Sequence, residues 1–181
     1  CEMSNSNFQG LVVSSRLYRV GDPPMYDPSD IAVLKAIRDN APTNSDLKYL
    51  WTDESRIASW SGVEWSEKPT KKVTALYLQD GQLSSLDVSQ LKALKTLSCS
   101  RNKLGSLNIS GNLNLTNLYC SGNKLPFSQL PINLPIQGGK YEYLPQEYLF
   151  NPEVITLGGT IDYSSEATVG GASTVFSWYK E

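Results

Sequence analysis

Between Val73 and Leu125 the chain repeats itself, and this constrains its fold more than any other feature. Leu76, Leu97 and Leu118 recur at one constant step, as do Leu78, Cys99 and Cys120. Gly81, Asn102 and Asn123 keep the same step, and so do Leu83, Leu104 and Leu125. The copies read LYLQDGQL, LSCSRNKL and LYCSGNKL, joined by LDVSQLKAL and LNISGNLNL. A fixed period of roughly 20 residues predicts a solenoid of stacked coils.

Within each LxL or LxC the two apolar side chains point to the same sheet face, so both enter a core. One coil cannot bury them alone. Stacking coils about 4.8 Å apart gives a parallel ladder over a continuous core. Asn102 and Asn123 stand where the chain leaves the strand, where an amide bonds backbone groups that have lost their ladder partners. Gly81 at that place suggests an irregular edge coil. Leu86-Asp87-Val88 and Leu107-Asn108-Ile109 alternate in the same way, which predicts a second extended side. With the leucines inward, three outward rows follow: Ala75/Thr96/Asn117, Tyr77/Ser98/Tyr119 and Gln79/Ser100/Ser121. This polar, nearly uncharged face is the candidate binding surface, with Tyr77, Gln79, Ser98, Ser100, Asn117, Tyr119 and Ser121 as its residues. A tyrosine offers a rigid contact area plus one hydroxyl, suited to a protein or a sugar. Tyrosine also has good strand propensity, so an ordinary sheet surface is the competing reading.

The chemistry of the chain is restricted. It contains no histidine, which removes the commonest general base and every Ser-His or Cys-His nucleophile pair. Its three cysteines do not suggest a metal site, because Cys99 and Cys120 have no further ligands at suitable spacing. They read instead as buried free thiols. Gly158-Gly159 and Gly170-Gly171 belong to no phosphate-binding pattern and read as turns. Glu142, Glu147, Asp162 and Glu166 have no acid/base or calcium-loop spacing. The sequons at Asn108 and Asn114 read as accidents of an Asn- and Ser-rich repeat. No catalytic constellation, cofactor or metal is expected, and the chain reads as a non-enzyme. A net charge of −2 offers no basic footprint for nucleic acid. No apolar run is long enough for a membrane span. Cys1 is open to two readings: a lipid-bearing cysteine left by lipoprotein signal cleavage, or the place where a longer sequence was cut.

Four segments follow in order. Residues 1–28 are mixed: 1–10 is polar and expected to be mobile, and Leu11–Val13 and Leu17–Val20 are candidate strands. Residues 29–72 read as a helical, tryptophan-rich cap. Asp27-Pro28-Ser29-Asp30 signals a helix start with Ser29 or Asp30 as the cap residue. Ile31, Leu34 and Ile37 share a helical face until Asn40-Ala41-Pro42 ends the run. Leu47, Leu50 and Trp51 suggest a second short helix. Trp51, Trp60 and Trp65 could form a carbohydrate platform, but sealing the open end of the solenoid is the stronger reading. Residues 73–130 are the repeats. Residues 131–181 read as linker and β-rich tail, with strands at Tyr141–Leu144, Val154–Leu157 and Thr174–Tyr179 and a turn at Gly170-Gly171.

Asp30-x3-Leu34-x2-Ile37, Trp60-x-Gly62-Val63 and Val73-Thr74-Ala75-Leu76-x-Leu78 resemble the N-terminal cap and first coil of leucine-rich-repeat proteins. Trp65 stands where many relatives carry a cysteine, so no cap disulfide is expected. Leu97-x-Cys99-x2-Asn102-x-Leu104 and Leu118-x-Cys120-x2-Asn123-x-Leu125 resemble the repeats of bacterial surface members, those of Gram-negative gut bacteria in particular. The tail resembles the opening strands of a bacterial immunoglobulin-like domain. It stops at Glu181 before a sandwich is complete, so the sequence is expected to be a piece of a longer one. The alternatives are that residues 8–20 supply the missing strands or that the tail packs elsewhere. The resemblance implies an α+β chain with a short solenoid, a helical cap and a partial immunoglobulin-like segment. It also implies an extracellular or outer-surface recognition module for a protein or glycan, or else a spacer in a larger adhesion or glycan-processing protein.

Overall fold

The computed structural model describes residues 25–126 and 139–146, and the backbone of four short strands in the remainder, at 2–4, 12–14, 168–169 and 172–173. In chain order the elements are β1 (Glu2–Ser4), β2 (Val12–Ser14), β3 (Met25–Tyr26), α1 (Pro28–Asn40) and α2 (Leu47–Leu50). A 3-10 helix at Glu54–Ser59 precedes β4 (Val63–Trp65), β5 (Thr70–Lys71), β6 (Val73–Tyr77), β7 (Ser85–Asp87) and β8 (Thr96–Ser98). Then come β9 (Ser106–Asn108), β10 (Asn117–Tyr119), β11 (Lys140–Glu142), β12 (Thr168–Val169) and β13 (Ala172–Ser173). Short helices precede mostly parallel strand pairs, an α+β arrangement.

The constant step of the repeat becomes strand register. Leu76 pairs with Leu97, and Leu97 with Leu118, within a five-stranded sheet ordered β11-β10-β8-β6-β4. Those three leucines are fully buried, as are Cys99 and Cys120. On the second side, β7 and β9 pair in parallel with Leu86 opposite Leu107. Burial pushes both thiols up, that of Cys120 to about 12, so each packs as a small hydrophobe.

Carboxamides close the corners. Asn102 donates to the carbonyls of Cys99 in its own copy (2.9 Å) and Leu78 in the preceding one (2.7 Å), while Leu83 N–H donates to its oxygen. Asn123 repeats this on Cys120, Cys99 and Leu104 N–H, at 3.0 Å each. Each amide therefore completes the corner before it. Gly81 needs no side chain of its own, and a Cβ there would lie 3.2 Å from the Asn102 oxygen. Asp80, Arg101 and Gly122, again one step apart, all turn the chain at positive φ.

Pairing does not end with the third copy. Tyr141 sits beside Leu118 in β11, on the same ladder rather than in a separate sheet. Gln146 takes the place of the corner asparagine, donating to Cys120 O at 2.9 Å and accepting from Leu125 N–H at 3.0 Å. Tyr143 is buried and donates its hydroxyl to Leu125 O at 2.8 Å. The internal spacing of Tyr141, Tyr143 and Gln146 equals that of Leu118, Cys120 and Asn123, although this copy follows at a slightly longer step than the others.

At the other end the cap residues pack onto β6. The helix is capped by Asp27, whose carboxylate accepts Ser29 N–H at 2.9 Å, and not by Ser29 or Asp30. Pro28 lacks an N–H and is preset for the first helical position, which moves the cap one residue before it. Asp30 is buried and accepts Val73 N–H at 2.8 Å, tying α1 to the first long strand. Trp51 and Trp60 are buried and stacked, 5.4 Å between ring centroids, with both indole N–H groups bonded to carbonyls. Neither offers a ring face as a platform. Met25–Tyr26 also belongs here, paired with Thr70–Lys71.

A strand at Glu2–Ser4, paired with Val12–Ser14, lies in a stretch read as polar and mobile; main-chain pairing needs no apolar side chains. Thr168–Val169 pairs antiparallel with Ala172–Ser173, and the turn expected at Gly170-Gly171 lies outside the described residues. Cys1, Leu17–Val20, 127–138, Val154–Leu157 and Thr174–Tyr179 lie outside the described residues.

Asn123→Ala strands several buried backbone groups and should cost about 3 kcal/mol in urea denaturation. Burial holds the Asp30 carboxyl above its ordinary 3.8, against the opposing bond from Val73 N–H. The native state then binds the proton more tightly than the unfolded chain, so Asp30 costs stability as pH rises through that window. Asp30→Asn keeps an acceptor for Val73 N–H and cannot ionise. Relative to this variant, the wild-type melting temperature should fall as pH rises above the ordinary carboxyl value of 3.8.

Candidate functional site

The register sets the candidate rows side by side: Ala75, Thr96, Asn117 and Lys140; then Tyr77, Ser98, Tyr119 and Glu142. Edge strand β4 runs antiparallel to β6 and puts Glu64 opposite Ala75. The rows are not equally open. Tyr77 is 38% exposed, Gln79 is exposed, and Asn117, Tyr119 and Ser121 are partly so. Ser98 and Ser100 are buried, 5% and 7% exposed. A serine one strand spacing from tyrosines on both sides lies below their height. Ser100 is turned instead to Ser121, with 3.2 Å between hydroxyl oxygens.

Charged side chains at the two ends modify the tyrosines. Partial burial and the neighbouring Glu64 carboxylate push the Tyr77 phenol up. The Lys140 ammonium lies 5.6 Å from the Tyr119 ring centroid, a cation–π contact, and is paired with Glu142 at 2.8 Å. Beyond the third row, Asp80 and Arg101 form a two-bond pair at 2.7 and 2.8 Å, which holds the carboxyl below its usual range. Sequence reasoning missed Glu64, Lys140 and Glu142. The last two become visible once Tyr141-x-Tyr143-x2-Gln146 is aligned with Leu118-x-Cys120-x2-Asn123. Nothing in the sequence signals Glu64, because it arrives on an antiparallel edge.

Two other surfaces compare poorly. The second side carries a shallow groove of about 370 Å³ over Ser85–Asp87 and Ser106–Asn108. Its carboxylate is engaged, accepting from Ser89 N–H and the Asn108 amide at 2.9 Å each. The stacked tryptophans are in the core. Among the described residues no group of three or more Cys, Asp or Glu could hold a metal ion, and no helix is long and apolar enough to cross a membrane.

No family model matches the sequence, and no curated protein or solved structure matches it either.

Ser98→Ala removes a hydroxyl that is nearly covered and has no hydrogen bond to the described residues. It should shift the urea-unfolding free energy by no more than about 0.5 kcal/mol. A loss well above that would show that the hydroxyl works in the sheet.

Proposed function

We propose that the ladder of residues 73–146 is a short leucine-rich-repeat solenoid. It belongs to a non-catalytic recognition module at an extracellular or outer cell surface and binds a protein or glycan through its strand face. The residues beyond it begin an immunoglobulin-like spacer. The observation that carries the reading is the placement of Tyr77 and Tyr119 on one face, two strands apart, roughly 10 Å. Short uncharged side chains lie between them, so two aromatic contact points frame a neutral strip. Aromatic residues with a polar tip are the usual anchors of such contacts. The resemblance of the Cys-bearing copies to bacterial surface proteins supports the location.

A spacer within a larger adhesion or glycan-processing protein is the second reading. It is favoured by the burial of Ser98 and Ser100 and by Lys140 lying over Tyr119, since part of the face is already used internally.

The test is binding to arrayed glycans and extracellular matrix proteins, with a Tyr77→Ala/Tyr119→Ala variant of matched thermal stability. Recognition through the face predicts a ligand whose affinity falls about 30-fold or more in the variant. A ligand held equally by both proteins would move the site off this face. Binding to nothing would favour the spacer.

A further inference from the structure

The exposed end of the tyrosine row opens into a groove of about 250 Å³ between the cap and the exit of β6. It is lined on one side by Asp46 and Leu50 and on the other by Tyr77, Gln79 and Asp80, with Gly62 at the junction. Its walls are joined by bonds that do not depend on a ligand. Tyr77 N–H donates to Gly62 O at 2.8 Å, and Trp51 Nε1 donates to Ser61 O at 2.9 Å. Gly62 is at φ +79°, and a Cβ there would fall 2.3 Å from Tyr77 O, so only glycine allows this approach.

The polar groups of the groove divide into used and unused. Asp80 is committed to Arg101 through both oxygens. Asp46 uses its backbone carbonyl for Tyr49 and Leu50 N–H, but its carboxylate makes no capping bond and engages none of the described residues. The Gln79 amide is exposed and engages none of the described residues. Leu50, at 53% exposed, adds apolar surface beside the Tyr77 ring. A free carboxylate only accepts hydrogen bonds, while a free amide both accepts and donates. Their best common partner carries groups that do both, together with an apolar face for Tyr77 and Leu50. An ammonium has no acceptor for the amide, whereas neighbouring sugar hydroxyls satisfy both groups. The volume is below the roughly 300–1,000 Å³ of drug-sized sites, which limits the occupant to about one ring.

We infer that this groove is a subsite for one neutral sugar ring at the end of a glycan, with Asp46 and Gln79 on its hydroxyls and Tyr77 and Leu50 against its C–H surface. The inference rests on the recognition reading above and narrows the partner to a glycan.

The experiment uses the whole chain and an array of glycans ending in neutral hexoses or N-acetylhexosamines. Asp46→Asn, Gln79→Ala and Tyr119→Ala variants are compared at matched melting temperature, with Nα-acetyl-lysine amide as a cationic competitor. The expected result is a glycan whose affinity falls about 10-fold or more in Asp46→Asn and in Gln79→Ala. Tyr119→Ala should have the smaller effect. Binding should be insensitive to salt and to the competitor. Affinity lost in Tyr119→Ala but kept in the other two would overturn the subsite and leave the strand-face reading standing. Binding to proteins but to no glycan would do the same. Displacement by the lysine derivative would make the groove a cation site, and binding to nothing would sink both readings.

Discussion

The structure depends on what happens to backbone groups where each strand ends. A chain that turns sharply every few residues leaves N–H and C=O groups facing a core, and each such group left unpaired costs about 1–3 kcal/mol. Asn102 and Asn123 meet that cost with one amide apiece, using donors on two carbonyls and the oxygen on an N–H. The arrangement has a direction, since each amide completes the corner of the preceding copy. The first copy can therefore carry Gly81, and the third cannot be the last. Gln146 supplies the missing amide, with the extra methylene of glutamine spanning a corner reached by a different path.

That direction explains what could be read from the residues. Leu76, Leu97 and Leu118 share a residue type and a step, so the parallel pairing and the buried cysteines are legible in the sequence. The fourth copy is not. It preserves the internal spacing but replaces Leu, Cys and Asn with Tyr, Tyr and Gln, and it arrives late, out of phase with the earlier copies. Tyr143 fills the column of Cys99 and Cys120 with a ring and sends its hydroxyl to Leu125 O, which no periodicity argument anticipates. The helix cap was misplaced for a smaller reason. Asp27, Ser29 and Asp30 are all good cap residues, and the deciding fact is the place of Pro28 among them.

Asp30 shows how the cap and ladder depend on each other. It sits in the first turn of α1, where a carboxylate favours the helix dipole. Here it is buried and committed to Val73 N–H, 43 residues away in sequence. The bond ties α1 to the start of β6, and the stacked pair of Trp51 and Trp60 shares one buried core with Leu34, Ile37 and Val73. A surface acid would have been less costly electrostatically. Burying this one trades some charge solvation for a satisfied amide at the ladder's first strand.

The same regularity limits what the strand face presents to a partner. Along the ladder, side chains one step apart satisfy one another: Thr96 with Asn117, Ser100 with Ser121, Asp80 with Arg101. Such pairing neutralises the middle of the face and turns Ser100 to Ser121, while Ser98 is covered between Tyr77 and Tyr119 although the pattern points both serines outward. The repeat is interrupted at the cap, where an antiparallel strand and a glycine loop replace the preceding copy. Gln79 faces that seam, and neither its amide nor the Asp46 carboxylate across the groove bonds any of the described residues. The row positions were legible from the repeat. The groove beside Gln79 was not, because its other wall, Asp46 and Leu50, comes from the cap and lies outside the repeat.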